Sequence, residues 1–447
     1  MRETNNERTR DIYGIDLGTT NSLIGLRDEY LSPLVPSVVD LKNKVAGASV
    51  KEKVDADRSF KVDMSMSLEG QPSIVDSSYV LKELRKQAGG SKVTDVVISV
   101  PAYFKDSQRQ ATKEAAKLAG LNVVALINEP TAAAMYISKT TKQLSVVYDL
   151  GGGTFDVSII DSRFGNYDVQ ATDGLIVGGD DFDTAIFRHL CKTGKVAVHH
   201  LNKERIMALT MQCTKWKIDM QKERHDLHVD LSEWGGDSDC LFTEQSYIAI
   251  MKMTFGETIT KAKNVIAEAI PYGDVYDIVL VGGSTRCPYL REWLTKELGQ
   301  APVELTYDPD RVVAQGAAMY ADLIATGESD AMVSDVTCAL SIGLSDGTVR
   351  VIIDKNSKLP ISDSTMAYND KASDKMQLDI YQGDSKLASQ NEHIGRVIYD
   401  FGRVVEAYDG CVEVTMAVDT SGVITFTCQE LLKEPVVTKL VRDVKNK

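Results

Sequence analysis

The chain has no run of 18 apolar residues, so nothing in it reads as a membrane-spanning helix. It has no block of lysine and arginine. Its net charge is −14, which disfavours nucleic acid or an anionic membrane as the main partner. No GxxxxGKS or GxxxxGKT phrase occurs, so a nucleotide would not be held by a P-loop. The seven cysteines, at 191, 213, 240, 287, 338, 411 and 428, show no CxxC spacing. An odd, scattered set points to reduced thiols and a cytoplasmic setting, not to a disulfide frame or a zinc site. The opening MRETNNERTRD is polar and lacks the apolar segment of a signal peptide. His199 and His200 are adjacent and therefore point apart, which suits a surface pair better than a metal site.

What is present is ordinary globular composition: 447 residues, 43% hydrophobic and 26% charged, enough for two or three domains. Up to about residue 327, β-type runs alternate with helical patterns. VTDVVISVPAYF, KDSQRQATKEAAKLAG and LNVVALINEPTAAAMYIS read as strand, helix, then strand, turn at Pro130 and helix. YDIVLVGGSTRCPYLREWLTKELG reads as strand, glycine turn and helix. This alternation predicts α/β layers. Beyond it, GTVRVII, KMQLDIYQG, CVEVTMAVDTSG and VITFTC alternate with period two and predict an antiparallel β domain. The expected organisation is a first domain over 1–327, a linker over 328–338 and a β domain over 339–447.

Two stretches raise a chemical question. In IYGIDLGTTNSLIGL a strand ends in Asp16, and Gly18, Thr19, Thr20 and Asn21 precede a second strand. In VVYDLGGGTFDVSIID a strand ends at Asp149, and Gly151, Gly152, Gly153 and Thr154 precede another. Glycine weakens a strand, so bare backbone must serve a purpose there. Exposed N–H groups in such turns cradle phosphate, and Asp16 and Asp149 facing one another call for a cation between them. Mg²⁺ suits those oxygens and keeps several waters. One such hairpin is more often a plain turn; two with matching acids and threonines point to a polyphosphate gripped from both sides. In VLVGGSTR, Gly282 and Gly283 would let a flat adenosine approach the backbone.

These phrases, with INEPTAAA, VGGDDFD and DPDRVVAQGAA, resemble the 70-kilodalton heat-shock chaperones of the DnaK type over nearly the whole chain. The resemblance implies an α/β, actin-like, two-lobed ATPase domain followed by a small antiparallel β-sandwich that binds peptide. It implies ATP or ADP with Mg²⁺ and K⁺, unfolded or extended polypeptide as the partner, and a J-domain co-chaperone and nucleotide exchange factor as helpers. By motif, Asp16 and Asp149 resemble the acids around Mg²⁺, Asp156 the acid linked to K⁺, and Glu129 the acid beside the metal and attacking water. Thr154 belongs to the second phosphate hairpin. Gly179 resembles the residue by phosphates and ribose; Gly282, Gly283, Ser284, Arg286 and Asp310 line the adenosine side. Lys217 resembles the lysine of the adenine clamp. Pro101 and Arg109 resemble the family's proline switch and its sensor. Lys61 is the best match to the lysine that touches the γ-phosphate; the plainer alternative is a surface lysine.

The chain also departs from the pattern. Thr214 stands where the family usually has glutamate and Gln221 where it has serine, so adenosine contacts are expected to be altered. The linker phrase DAMVSD is poor in leucine. Two-residue alternation turns Met366, Met376 and Leu378 inward, as a peptide pocket or as plain core. The segment after the last clear strand is short, so the resemblance is to a member without the helical lid. The expected function is an ATP-dependent chaperone that binds extended apolar segments, with binding linked to hydrolysis. The alternative is an actin-like nucleotide-binding scaffold with little or no refolding activity.

Overall fold

The computed structural model describes residues 10–27, 29–30, 32–50, 57–58, 72–102, 104, 106–137, 144–163, 167–270, 274–304, 306–327, 338–355, 357, 359–430 and 436–438. Strand β1 (Ile12–Asp16) turns through the first glycine phrase into antiparallel β2 (Asn21–Leu26), with Asp16 opposite Leu23. After helix α1 (Pro72–Gln87), β3 (Asp95–Val100) lies parallel to β1, and after α2 (Asp106–Leu118), β4 (Asn122–Asn128) lies parallel to β3. Short strands Glu29–Tyr30 and Val35–Pro36 join β2 and complete six strands, with β4 at one edge.

The sequence placed a turn at Pro130. Instead α3 (Glu129–Ile137) starts as soon as β4 ends. Proline is tolerated in a first helical turn because its missing N–H has no intrahelical partner to lose there. The helix therefore carries Glu129 at its first position, buried at 7% exposure.

The second sheet repeats the first. Strand β5 (Leu144–Leu150) turns through the triple glycine into antiparallel β6 (Phe155–Asp161), which pairs with β7 (Asp168–Leu175). Helices α4 (Gly179–Thr193), α5 (Lys203–Glu223) and α6 (Glu244–Ala269) intervene before β8 (Tyr276–Val281), which lies parallel to β5. Hairpin plus parallel partner, β2-β1-β3, recurs as β6-β5-β8. LSVVYDL in β5 is buried almost throughout, as a strand covered on both faces should be. Helices α7 (Pro288–Leu298) and α8 (Val312–Thr326) follow.

One core joins the two sheets: Ile12 and Val97 from the first, Val147 and Val279 from the second, with α3 and α8 between them. Here α8 lies so close to α3 that a Cβ on Gly316 would sit 1.8 Å from the Ala132 carbonyl oxygen. That close seating fixes one hairpin relative to the other.

From residue 340 on, the described strands are β9 (Leu340–Gly343), β10 (Val349–Ile353), β11 (Ile361–Tyr368), β12 (Ser373–Gln382), β13 (Glu392–Val405), β14 (Cys411–Val418), β15 (Ile424–Glu430) and β16 (Val436–Thr438). They form two antiparallel four-stranded sheets, β10-β9-β12-β13 and β11-β14-β15-β16. Ile380 and Val397 from one sheet and Val414 and Phe426 from the other share one core. The β14–β15 turn rests on the edge of the first sheet: Leu126 N–H donates to Ser421 Oγ at 3.2 Å and Ile424 N–H to Asp106 Oδ1 at 3.0 Å. Among the described residues no helix is long and apolar enough to cross a membrane, and none of the seven cysteines is in a disulfide. His199 and His200 are both exposed, but they do not point apart: they lie in a 3-10 turn and their ring centroids are 4.1 Å from one another.

Candidate functional site

The two glycine turns meet tip to tip. A Cβ on Gly152 would lie 1.9 Å from Thr20 Oγ1, and one on Gly153 would lie 2.9 Å from Thr19 Cγ2. The glycines are there because no side chain fits between the hairpins. The first turn is braced from behind. Gly18 N–H donates to Ser22 Oγ at 3.1 Å, and Ser37 Oγ donates to the Gly18 carbonyl at 2.7 Å. The second is braced by α4, whose Gly179 and Asp180 N–H groups donate to the Gly151 and Gly152 carbonyls at 3.0 and 2.8 Å. Ser284 Oγ donates to the Gly151 carbonyl at 2.8 Å and ties the glycine turn after β8 to the same loop. Gly282 has φ +81°, and a Cβ there would meet Asp149 Oδ1 at 2.7 Å.

A cavity of about 260 Å³ lies between these turns. It gathers Asp16, Gly18, Thr19, Thr20 and Asn21 from the first hairpin and Asp149, Gly151, Gly152 and Thr154 from the second. Glu129, Gly179, Lys217, Gly282, Gly283, Ser284 and Asp310 complete the expected set around it. Gly153 packs on Thr19 beside the cavity. Arg286 stands behind Asp310, 2.8 Å from its carboxylate, and also pairs with Asp308. Lys61 lies outside the described residues.

Asp149 stands directly opposite Asp156 in the β5–β6 register. Like charges directly opposite are unfavourable unless something positive offsets them. Asp156 is buried at 7% exposure, and Asp16 accepts a hydrogen bond from Ser99 Oγ at 3.0 Å. These hard oxygens suit Mg²⁺. Among the described residues no three Asp, Glu, His or Cys side chains cluster tightly enough to hold a bare ion. A cation here would keep waters and phosphate oxygens as its nearest neighbours.

Some lining residues escaped the motif reading: Leu34, Asp180, Asp183 and Pro309. Asp183 was within reach, since it falls four residues after Gly179 and so on the same helix face. Thr214 lines the cavity but Gln221 does not; its Nε2 donates to the Tyr247 hydroxyl at 2.8 Å. Burial pushes that phenol's pKa far up.

A second network leaves the cavity. Asn128, next to Glu129, accepts from Arg109 Nη2 at 2.7 Å through its Oδ1. Arg109 also donates to the Phe104 carbonyl at 3.0 Å and, across to the β14–β15 turn, to the Ser421 carbonyl at 3.3 Å. Burial lowers this guanidinium to about 10, so it stays charged at neutral pH. Lys113 reaches Asp419 of the same turn at 3.4 Å.

The three residues expected to bind peptide are not gathered on one open surface. Met376 and Leu378 are buried at 3% and 9% in the core of the last two sheets; Met366 is half-buried on the edge strand β11.

Residues 36–443 match the family described as Hsp70 protein. The chain is 33% identical to the chaperone protein HscA homolog of Haemophilus influenzae (strain PittGG), over 93% of this chain and 75% of that protein. It is 32% identical to the HscA homolog of Methylobacillus flagellatus, with the same coverage. It is 31% identical to the chaperone protein DnaK of Mycoplasma mobile, over 92% of this chain and 75% of the relative.

Proposed function

The chain belongs to the Hsp70 family, and on that premise we propose how its cleft and its β domain divide the work of an ATP-dependent chaperone. It is an ATP-hydrolysing protein that binds nucleotide with Mg²⁺ and acts on unfolded polypeptide. The observation that carries the site assignment is the meeting of the two glycine hairpins, Thr20 against Gly152, with Asp16 and Asp149 on one cavity. The domain division is 1–327, 328–338 and 339–447, with an actin-like two-lobed first part and a β-sandwich after it. Cys338, the last residue of that linker, borders a cavity of about 540 Å³ along the edge strand β7.

The backbone N–H groups of Gly18 to Asn21 and Gly151 to Thr154 hold the phosphates, and Gly282, Gly283 and Asp310 flank the adenosine. Mg²⁺ would be held through water by Asp16 and Asp149 and would neutralise phosphate charge; Asp156 is the acid for K⁺. Glu129, Asp149 and Thr154 orient a water for in-line attack on the γ-phosphate, with Lys61 as the charge on the transferring group. The water oxygen bonds phosphorus, ADP leaves, and no covalent intermediate forms with the protein. Positioning and charge supply the acceleration.

Glu129, Asn128 and Arg109 then lead from the γ-phosphate end to Ser421. This path links nucleotide state to the β domain, where Met366 edges the peptide site and Met376 and Leu378 shape it from beneath. A J-domain protein and an exchange factor, in the cytoplasm, would pace the cycle.

Mg²⁺ with ATP at a hundred times its dissociation constant should stabilise the protein by about 2.7 kcal/mol. EDTA should remove most of that gain. Thermal melts with ATP alone, ATP with Mg²⁺, and ATP with Mg²⁺ and EDTA test it. Equal stabilisation in all three would remove the acids from the assigned role.

A further inference from the structure

Among the described residues, β13 is the last strand of the sheet β10-β9-β12-β13, so one of its sides is a sheet edge. From Lys375–Asp400 to Ile380–Gly395 its pairing with β12 runs through six residue pairs without a break. A regular edge of that length is a template for a further strand. Beyond Asp400 the regular stretch ends. The register with β12 shifts between Lys375 and Ser373, and Arg403 turns to the other sheet, 2.5 Å from Glu430 on β15.

Proteins blunt such edges with charge, and charge of one sign would repel a second copy. The charges on β13 alternate. Arg396 faces Asp379 of β12 and donates to it through Nε at 2.8 Å; Asp400 faces Lys375, 3.8 Å away. All four lie on the solvent side of the sheet, while Val397 and Tyr399 point into the core. An antiparallel partner strand must set solvent side beside solvent side, which allows only every second register. A copy of β13 centred on Arg396 or on Asp400 sets like charges against each other. Centred on Val397 or Tyr399, it sets neither charge against the other. Centred on Ile398, it sets Arg396 opposite Asp400 at two places. A row of alternating sign then crosses four strands: Asp379 and Arg396, then Asp400 and Lys375 of the copy. A guanidinium has five N–H donors and can serve a carboxylate on either side.

We propose that the β13 edge is an interaction surface for a second copy of this chain. Two β domains pair antiparallel through the stretch Gly395–Phe401, with Ile398 on the two-fold axis. Two four-stranded sheets become one continuous sheet. Such a contact is isologous, so assembly stops at two. It uses neither β11, which carries Met366, nor the β14–β15 turn. The inference does not rest on the reading of the cleft as an ATP site.

Sedimentation equilibrium of the full chain between about 1 and about 100 µM tests this. One strand edge makes a small interface, so the wild type should dimerise weakly, with a dissociation constant on the order of 10 µM. Asp400→Arg sets like charges opposite one another at both contacts, and so does Arg396→Glu. Each alone should weaken the dimer about tenfold or more. Mixed in equal amounts the two variants should recover it, because position 396 of each chain then faces the opposite sign at position 400 of the other. A wild type that stays monomeric throughout would overturn the proposal, whether or not the variants fold. Growth beyond two chains would overturn it as well, since that needs a head-to-tail contact. So would a dimer that both variants leave unchanged, or a mixture no stronger than the variants apart. If Arg396→Glu, which gives up the bond to Asp379, does not fold, the wild type and Asp400→Arg decide alone.

Discussion

Asp149→Asn is expected to slow ATP hydrolysis at least tenfold, about 1.4 kcal/mol of barrier, and yet to make the empty protein slightly more stable. The two effects share one cause. Asp149 faces Asp156 across the β5–β6 pair, and Asp149 lines the cavity between the hairpins. Without a ligand, directly opposed carboxylates cost roughly 0.2 to 1 kcal/mol, and the amide removes that repulsion. With Mg²⁺ and ATP, the same lost charge weakens the hold on the metal's water shell and on the attacking water. Single-turnover hydrolysis and a thermal melt of nucleotide-free protein measure the two halves. A variant that is less stable when empty would show that Asp149 is an ordinary structural acid. An unchanged turnover rate would remove it from the chemistry.

Gly152→Val should reduce affinity for ATP with Mg²⁺ by about a hundredfold or more, near 2.7 kcal/mol, without unfolding the chain. Even the first carbon of the new side chain would lie 1.9 Å from Thr20 Oγ1 and 2.9 Å from Thr20 Cβ. Turning the Thr20 hydroxyl relieves the first contact but not the second. The hairpins must part, and phosphate N–H groups on either side then no longer converge. The damage is confined to the cavity, because the cores that hold the sheets include neither Thr20 nor Gly152. Combining Gly152→Ala with Thr20→Gly should recover a good part of what Gly152→Ala alone loses. Such non-additivity is the mark of two residues in contact. Strictly additive losses would mean that the turns do not act through one another.

Both residues were legible in the sequence, and the reason is local. A strand that ends in an acid and opens into glycine and threonine is a short-range signal, and the chain carries it twice. The sheets behind the hairpins were legible for the same reason, since period-two runs need no distant information. Strand β13, fourteen residues from Glu392 to Val405, was not. Gly395 and Gly402 interrupt it, and its pairing with β12 shifts register between Ile380 and Tyr381. Pro130 misled because proline marks turns and first helical turns alike. Met376 and Leu378 point inward as alternation required, but period two cannot tell a core from a groove.

Asp183 and the Arg109 network show the other limit. Asp183 lines the cleft with Thr214 and Lys217, which α5 brings against it from some thirty residues along the chain. Arg109 meets Ser421 across 312 positions, and nothing near DTSG says where that turn will rest. Its tip is shaped locally, with Asp419 Oδ1 accepting from the Ser421 and Val423 N–H groups at 2.8 and 2.9 Å. Its docking is not.

If one path joins the ATP cleft to the β domain, ATP turnover measured with and without an extended apolar peptide, in the wild type and in Arg109→Ala, will show it. Wild-type turnover should rise with peptide. The variant, which loses its bonds to Asn128 and Ser421, should show little or no response to peptide. Wild-type turnover indifferent to peptide, above all if nucleotide instead drove the chain to polymerise, would rule out such a path and favour an actin-like scaffold.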